Sequence, residues 1–390
     1  MKILLISSTF PPRKFGGITE SSYILAKYLV QKGQDVTVYT TDVNDRHSRI
    51  PDTKGVKNMD GIKVHYFKNL SNWLASRRLY LPAGIVAVIR RELNNFDIIH
   101  LNEFRSFHSI IVHHYAKKYG IPYVLQARGS LPRMMAKQNS KQIYDILWGY
   151  RLLKDASRVI ALSQMEAEQY KSMGISQDMI EVVPNGINFA EFDDLPQRGG
   201  FREKWGISNR QKTVLFLSRI NEIKGPDLLV KAFAALSKEH NDIKLIIAGP
   251  DDGYLPVLKR LINELKIEEK VLFTGLLYGR DKLEAYIDAD VYVLPSSYEI
   301  FGRTLIEAGA CGTPIIVTDR CGIADVINNR AGLVVSYDKD ALSKAILDIL
   351  GNDKKRQEFG EQGKLLVREK FNWEEIAVQI EDIYKRCKEQ

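Results

Sequence analysis

Two carboxylates eight residues apart, Glu299 and Glu307, have the setting most suited to chemistry in this 390-residue sequence. An apolar run at 291–294 stops at Pro295, a loop carries Glu299, and Gly302-Arg303 opens a helical pattern with Glu307 in its second turn. A carboxylate on a strand-exit loop, amides at a helix start and a second carboxylate on that helix suit a sugar nucleotide. Carboxylates accept hydrogen bonds from hydroxyls, and helix-start amides receive phosphate oxygens. Spacing alone says little, because Glu361 and Glu369 are equally far apart in an ordinary surface-helix pattern. The strand exit, Phe301-Gly302 and the Gly-rich stretch up to Pro314 set the first pair apart.

Arg219 and Lys224 follow another apolar run, 213–217, just past its carboxyl end. Arg offers a bidentate fork and Lys a point charge, so the two suit a diphosphate. Near the start, the run 2–7 leads through Pro11-Pro12 to Gly16-Gly17 before a helix expected to open near Thr19-Glu20, a loop whose amides could approach an anion. No Gly-Lys-Ser or Gly-Lys-Thr follows it, and no GxGxxG occurs anywhere, which counts against nucleoside triphosphatases and dinucleotide oxidoreductases.

These residues need strands to carry them. Runs rich in Val, Ile, Leu and Tyr at 2–7, 35–39, 63–67, 97–101, 123–126, 158–162 and 180–183 alternate with helical patterns. The scheme breaks at Val183-Pro184-Asn185-Gly186 and in the polar stretch to 209, then restarts at 213–217, 244–248, 271–274, 291–294, 315–318 and 333–335. Alternation of this kind predicts parallel sheets wrapped by helices, an α/β class, as two doubly wound Rossmann-like domains of about 200 residues each. The expected division is 1–190 and 191–372, with a last helix at about 373–390 returning to the first domain. Ligands of such folds bind at the carboxyl ends of strands, so a cleft between the domains is the expected site.

Hydrophobic residues at 45% and charged residues at 27% describe an ordinary globular chain rather than a disordered one. Cys311, Cys321 and Cys387 are too few for a disulfide framework and show no CxxC spacing, which fits a reducing compartment and argues against a cysteine zinc site. The opening apolar run is too short for a signal segment, and the run 79–89, bracketed by Arg77-Arg78 and Arg90-Arg91, is about half the length of a membrane span. Residues 82–96 are expected to form a core helix. Residues 1–190 hold 26 Lys+Arg against 15 Asp+Glu, whereas 191–390 hold 30 against 33. The first half is therefore suited to phosphates or anionic lipid. The stretches 77–91 and 133–141, with Trp148, are candidates for meeting an anionic membrane surface.

Taken together, Pro11-Pro12 through Gly16-Gly17, the strand ending at His100, Val183-Pro184-Asn185-Gly186-Ile187, Arg219 with Lys224-Gly225, Ala248-Gly249-Pro250, Phe273-Thr274-Gly275 and the segment from Glu299 to Glu307 carry a resemblance. The chain resembles the family 4 retaining glycosyltransferases of the GT-B fold, often called glycosyl transferases group 1. That resemblance implies transfer of a sugar from a nucleotide diphosphate sugar to a glycan or lipid-linked acceptor, with no metal and no cofactor. Glu299 would hold donor-sugar hydroxyls, amides around Phe301, Gly302, Arg303 and Thr304 would hold sugar and phosphates, and Glu307 would bind the ribose. Arg219 and Lys224 would stabilise the departing diphosphate, and Gly16-Gly17 would close over phosphate and acceptor. The leaving phosphate would take the acceptor's proton, so Glu299 need not be a nucleophile. Many relatives place a His-Gly pair where Arg128-Gly129 stands here. Arg128 can stabilise charge or bind a hydroxyl there but cannot serve as a general base. His100 is expected to pack or hydrogen-bond, and Ser218 replaces a Gly often found before Arg219.

A sugar-nucleotide epimerase of the same fold is the alternative, and the Glu299 to Glu307 segment with Arg219 and Lys224 favours transfer over it. A nucleic-acid-binding role rests only on the basic first half, with no aromatic-rich basic motif to support it. The expected location is cytoplasmic, at the inner face of a membrane.

Overall fold

A computed structural model describes residues 1–13, 16–45, 47–133 and 138–389. Met134 and Met135, within one stretch singled out above, lie outside the described residues. The chain divides into two compact units, Met1–Gly186 with Trp373–Gln390, and Ile187–Asn372.

The first unit is built on strands β1 (Lys2–Ile6), β2 (Asp35–Thr41), β3 (Val56–Met59), β4 (Ile62–Phe67), β5 (Ile98–Leu101), β6 (Tyr123–Gln126), β7 (Arg158–Ala161) and β8 (Ile180–Val182). They lie in the order β3-β4-β2-β1-β5-β6-β7-β8, parallel except for β3 against β4. Both faces of this sheet are covered. In β1, Ile3 and Leu5 enter one core and Leu4 and Ile6 the other, so a run with no polar alternation is what a doubly covered strand requires. The helix Trp373–Lys388 closes the first of these cores with Trp373, Ile376, Ile380 and Tyr384.

Strand β3 has no counterpart among the expected strands. Its signal is the Asp60-Gly61 pair, whose positive φ angles of 52° and 84° make a two-residue hairpin from Met59 to Ile62. In the run 79–89 the helix spans only Ile85–Glu92; Ile85, Ile89 and Leu93 are buried, while Leu79 and Val86 stay exposed. Among the described residues no helix is long and apolar enough to cross a membrane.

The second unit carries β9 (Lys212–Leu217), β10 (Ile243–Ala248), β11 (Val271–Gly275), β12 (Val291–Leu294), β13 (Ile315–Thr318) and β14 (Gly332–Val335). All pairs are parallel, in the order β11-β10-β9-β12-β13-β14. The order reverses between β9 and β12, and between β1 and β5 in the first unit. At such switch points the exit loops diverge and leave a crevice.

Candidate active site

The exit loops of β9 and β12 carry the predicted donor residues of the second unit. Asn221 caps the turn Glu222–Lys224 by accepting from the Lys224 amide, and Gly225 follows at φ 66°. A Cβ there would lie 2.0 Å from the Pro295 carbonyl oxygen, so only glycine lets the two loops meet so closely. The Ser297 amide donates to the Ile223 carbonyl at 2.8 Å across the same contact.

That approach seats Lys224 on Glu299. The ammonium donates to the carboxylate, and each side chain is only about one-sixth exposed, at 16% and 15%. Burial pushes the Glu299 carboxyl up, but Lys224 and the amides of Phe301 and Gly302 outweigh it and hold it below the usual range. Its backbone is pinned to the loop after β13, with the Glu299 amide donating to Arg320 and the Gly322 amide donating to Glu299.

Gly302, at φ 71°, starts the helix Arg303–Ala310, which has no side-chain N-cap. Thr304 is set in place by the buried Tyr292 hydroxyl at 2.6 Å, and Phe301 packs edge-on against Phe371. One turn on, Glu307 is 4% exposed. Its Oε1 accepts from Lys282 and from Arg303, both at 3.0 Å, and its Oε2 from the Tyr286 hydroxyl at 3.2 Å. Burial raises this carboxyl too, and the two cations more than offset it, leaving it lowered and ionised.

Arg219 is placed differently. Its guanidinium turns to Asp252 at 2.5 Å, beside Asn221, with about half of the side chain exposed. The structure thus joins Lys224 directly to Glu299 and Arg303 to Glu307, and gives Arg219 a separate partner on the β10 exit loop. Lys282 and Tyr286 were missed by sequence reasoning. They sit on the helix Gly279–Asp288, and no local signal ties that helix to Glu307.

In the first unit, Gly16, at φ 119°, precedes the helix Gly17–Gln31, which opens two residues earlier than expected and also lacks a side-chain cap. Arg128 adopts φ 52° and is partly buried. It donates from Nε and Nη2 to Asn102 Oδ1, at 3.1 and 2.8 Å, and from Nη1 to Ser21 at 2.8 Å and Asn185 at 3.0 Å. Each of these acceptors is neutral. Burial lowers Arg128 to about 10, with nearby carboxylates opposing, so it stays cationic at neutral pH. Glu103, just past β5, accepts from the Ser8 amide and hydroxyl and lies 3.3 Å from His108. It too was missed, although its strand-exit position is the same signal that pointed to Arg219.

His100 is wholly buried, with Nδ1 against the Tyr384 hydroxyl at 2.5 Å. Burial, then Arg128, depress it to about 3, so it is neutral in the fold. An unfolded His titrates near 6.5, so between that pH and about 3 the unfolded chain binds a proton the native chain refuses. Stability from this group is therefore complete above pH 6.5 and is lost as pH falls. Urea unfolding of wild type between pH 6.5 and 5 should lose up to about 1.4 kcal/mol per pH unit more than His100→Gln. Parallel profiles would mean that His100 protonates freely in the native state.

Two doubly wound units, each with polar and charged side chains gathered at strand exits, are the architecture of GT-B structures. The profile described as "Glycosyl transferases group 1" matches residues 197–385, and "Glycosyltransferase Family 4" matches 15–191. The chain belongs to this glycosyltransferase family. It is 28% identical to an uncharacterized glycosyltransferase, MJ1607, of Methanocaldococcus jannaschii, over 99% of this chain and 98% of that protein. It is 27% identical to the alpha-monoglucosyldiacylglycerol synthase of Streptococcus pneumoniae, over 90% and 78%. Among solved structures, HepE of Anabaena in complex with UDP-glucose superposes with a TM-score of 0.78 at 20% identity, covering 98% of each chain.

Proposed function

We propose that the protein transfers a sugar, with retention and without a metal, from a nucleotide diphosphate sugar to a glycan or lipid-linked acceptor. The observation that carries this reading is the partly buried Lys224–Glu299 pair at the β9/β12 switch point, beside an uncapped helix start and the ionised Glu307. Glu299 accepts from sugar hydroxyls. An ammonium has three donors, so Lys224 can keep Glu299 while another N–H meets a phosphate oxygen. Glu307 accepts from the ribose, while Arg219 and the amides of Phe301 to Thr304 take the remaining diphosphate charge as it develops on departure. For the first unit, phosphate and acceptor contact is assigned on this reading to Gly16-Gly17, and a charge-stabilising role to Arg128. Arg128 supplies fixed charge, and the leaving phosphate takes the acceptor proton. HepE of Anabaena is solved in complex with UDP-glucose, and the pneumococcal relative is named as the synthase of a lipid; both fit such a donor and acceptor. The reaction belongs in the cytoplasm, at the inner face of a membrane.

The test is a thermal-shift panel of UDP-, GDP- and ADP-sugars with chelator or magnesium, followed by NMR of the anomeric proton in the product. One nucleotide class should stabilise the protein equally in both conditions, and the product should keep the donor's anomeric configuration. A shift that requires magnesium, or an inverted product, would overturn the proposal.

A further inference from the structure

Residues 138–154 form one continuous helical segment, Gln138–Tyr144, a wide turn Asp145–Gly149 and Tyr150–Lys154. It has an inward face that accounts for its place in the fold. Asp145 is completely buried and accepts from Arg105 at 2.8 and 2.7 Å and from Arg133 at 2.9 Å. Gly149 packs so tightly that a Cβ would meet the Phe104 ring at 3.0 Å, and Leu152 and Leu153 enter the core.

The outward side is also apolar. Ile143, Ile146, Leu147 and Tyr150, at positions i, i+3, i+4 and i+7, are 57%, 62%, 49% and 40% exposed, and Trp148 is 40% exposed beside them. Five large apolar side chains thus stand in water within eight residues. Nowhere else among the described residues do more than two such side chains fall in a window of that length. A helix already anchored by one face has no folding reason to carry a second apolar face, and a contiguous exposed patch marks a surface that meets something.

Charge decides what it meets. The sole carboxylate of the segment, Asp145, is buried and neutralised, whereas Arg151 and Lys154 are exposed at its end. Residues 1–190 also carry the chain's excess of cations. A second copy of this face would bring like charge against like charge, but an anionic bilayer offers acyl chains to the apolar residues and phosphates to the cations. Trp and Tyr beside aliphatic side chains suit the depth where headgroups meet hydrocarbon.

We propose that the outward face of residues 143–150 docks the protein on an anionic lipid bilayer, with Ile146 and Leu147 entering the interface and Arg151 and Lys154 meeting headgroup phosphates. This face follows the stretch 133–141 that the sequence offers for a membrane contact and shares with that reading only Trp148; in the other stretch, 77–91, the helix buries Ile85 and Ile89 and leaves Leu79 and Val86 exposed. Docking is separable from the proposed transfer, because it can be measured with neither donor nor acceptor.

The test is flotation of the full-length protein with phosphatidylcholine vesicles, with and without about 30% phosphatidylglycerol, at low salt and about 150 mM salt. Wild type should float with anionic vesicles and weaken with salt, while Ile146→Ser/Leu147→Ser and Arg151→Glu/Lys154→Glu should each lose about tenfold or more in binding. Each variant should keep the wild-type Tm and nucleotide thermal shift, which separates docking from the donor site. Three results would overturn the proposal: no flotation at low salt, equal flotation of wild type and variants, or a wild-type dimer that Ile146→Ser/Leu147→Ser dissociates. The last would assign the face to a second copy of the chain.

Discussion

Glu299→Ala will lower kcat by about 10²- to 10³-fold, the scale expected when a group contacting the reacting sugar is removed. The same variant will bind the sugar-free nucleotide diphosphate at least as tightly as wild type. Glu299 accepts the Lys224 ammonium in the free protein, so its removal leaves that cation available to phosphate. Turnover and diphosphate affinity should therefore move apart, with single-turnover kinetics reading the first and calorimetry the second. Equal turnover with a confirmed donor would remove Glu299 from the sugar. A parallel loss of diphosphate affinity would show that the carboxylate acts only by holding its loop, which its backbone links to Arg320 and Gly322 make the competing explanation.

Lys224→Ala is the reciprocal experiment and will have the second-largest effect. It removes a cation proposed to meet the leaving group and should weaken nucleotide diphosphate binding about tenfold and kcat/KM about 10²- to 10³-fold. It also strands a carboxylate that is only 15% exposed, so unfolding free energy should fall by about 1–3 kcal/mol. The double variant Lys224→Ala/Glu299→Ala should recover part of that stability and none of the activity. Two residues in contact need not add, and the size of the departure measures their coupling. Additive stabilities would mean that the pair contributes nothing to the fold, and unchanged diphosphate affinity in Lys224→Ala would move the phosphate site elsewhere, toward Arg219 or Arg303.

The pattern of alternating apolar runs and helical segments was enough to locate thirteen of the fourteen strands among the described residues to within about two residues at each end, because a strand covered on both faces must be apolar along its whole length. The exception, β3, is short, polar and half exposed, held by its Asp60-Gly61 turn rather than by burial. Strand exits and helix starts are local features, so Glu299, Glu307, Arg219 and Lys224 could be singled out from their neighbours in the chain alone.

Partnership is where the sequence stopped. Nothing local pairs Lys224 with Glu299, 75 residues away, while leaving Arg219, only five residues before it, to Asp252. That choice depends on β9 lying between β10 and β12, and on Gly225 allowing its loop to touch Pro295. Lys282 and Tyr286 reach Glu307 because the helix after β11 packs across the sheet, and Arg128 finds Asn102, Ser21 and Asn185 because three other segments end beside it. The sequence by itself therefore determined the class of fold and the loops that carry the candidate site, since both follow from local hydrophobic period and turn residues. Tertiary structure decided which charges neutralise each other and which apolar face stays in water, because burial and contact depend on what packs opposite, and that is a property of the whole chain.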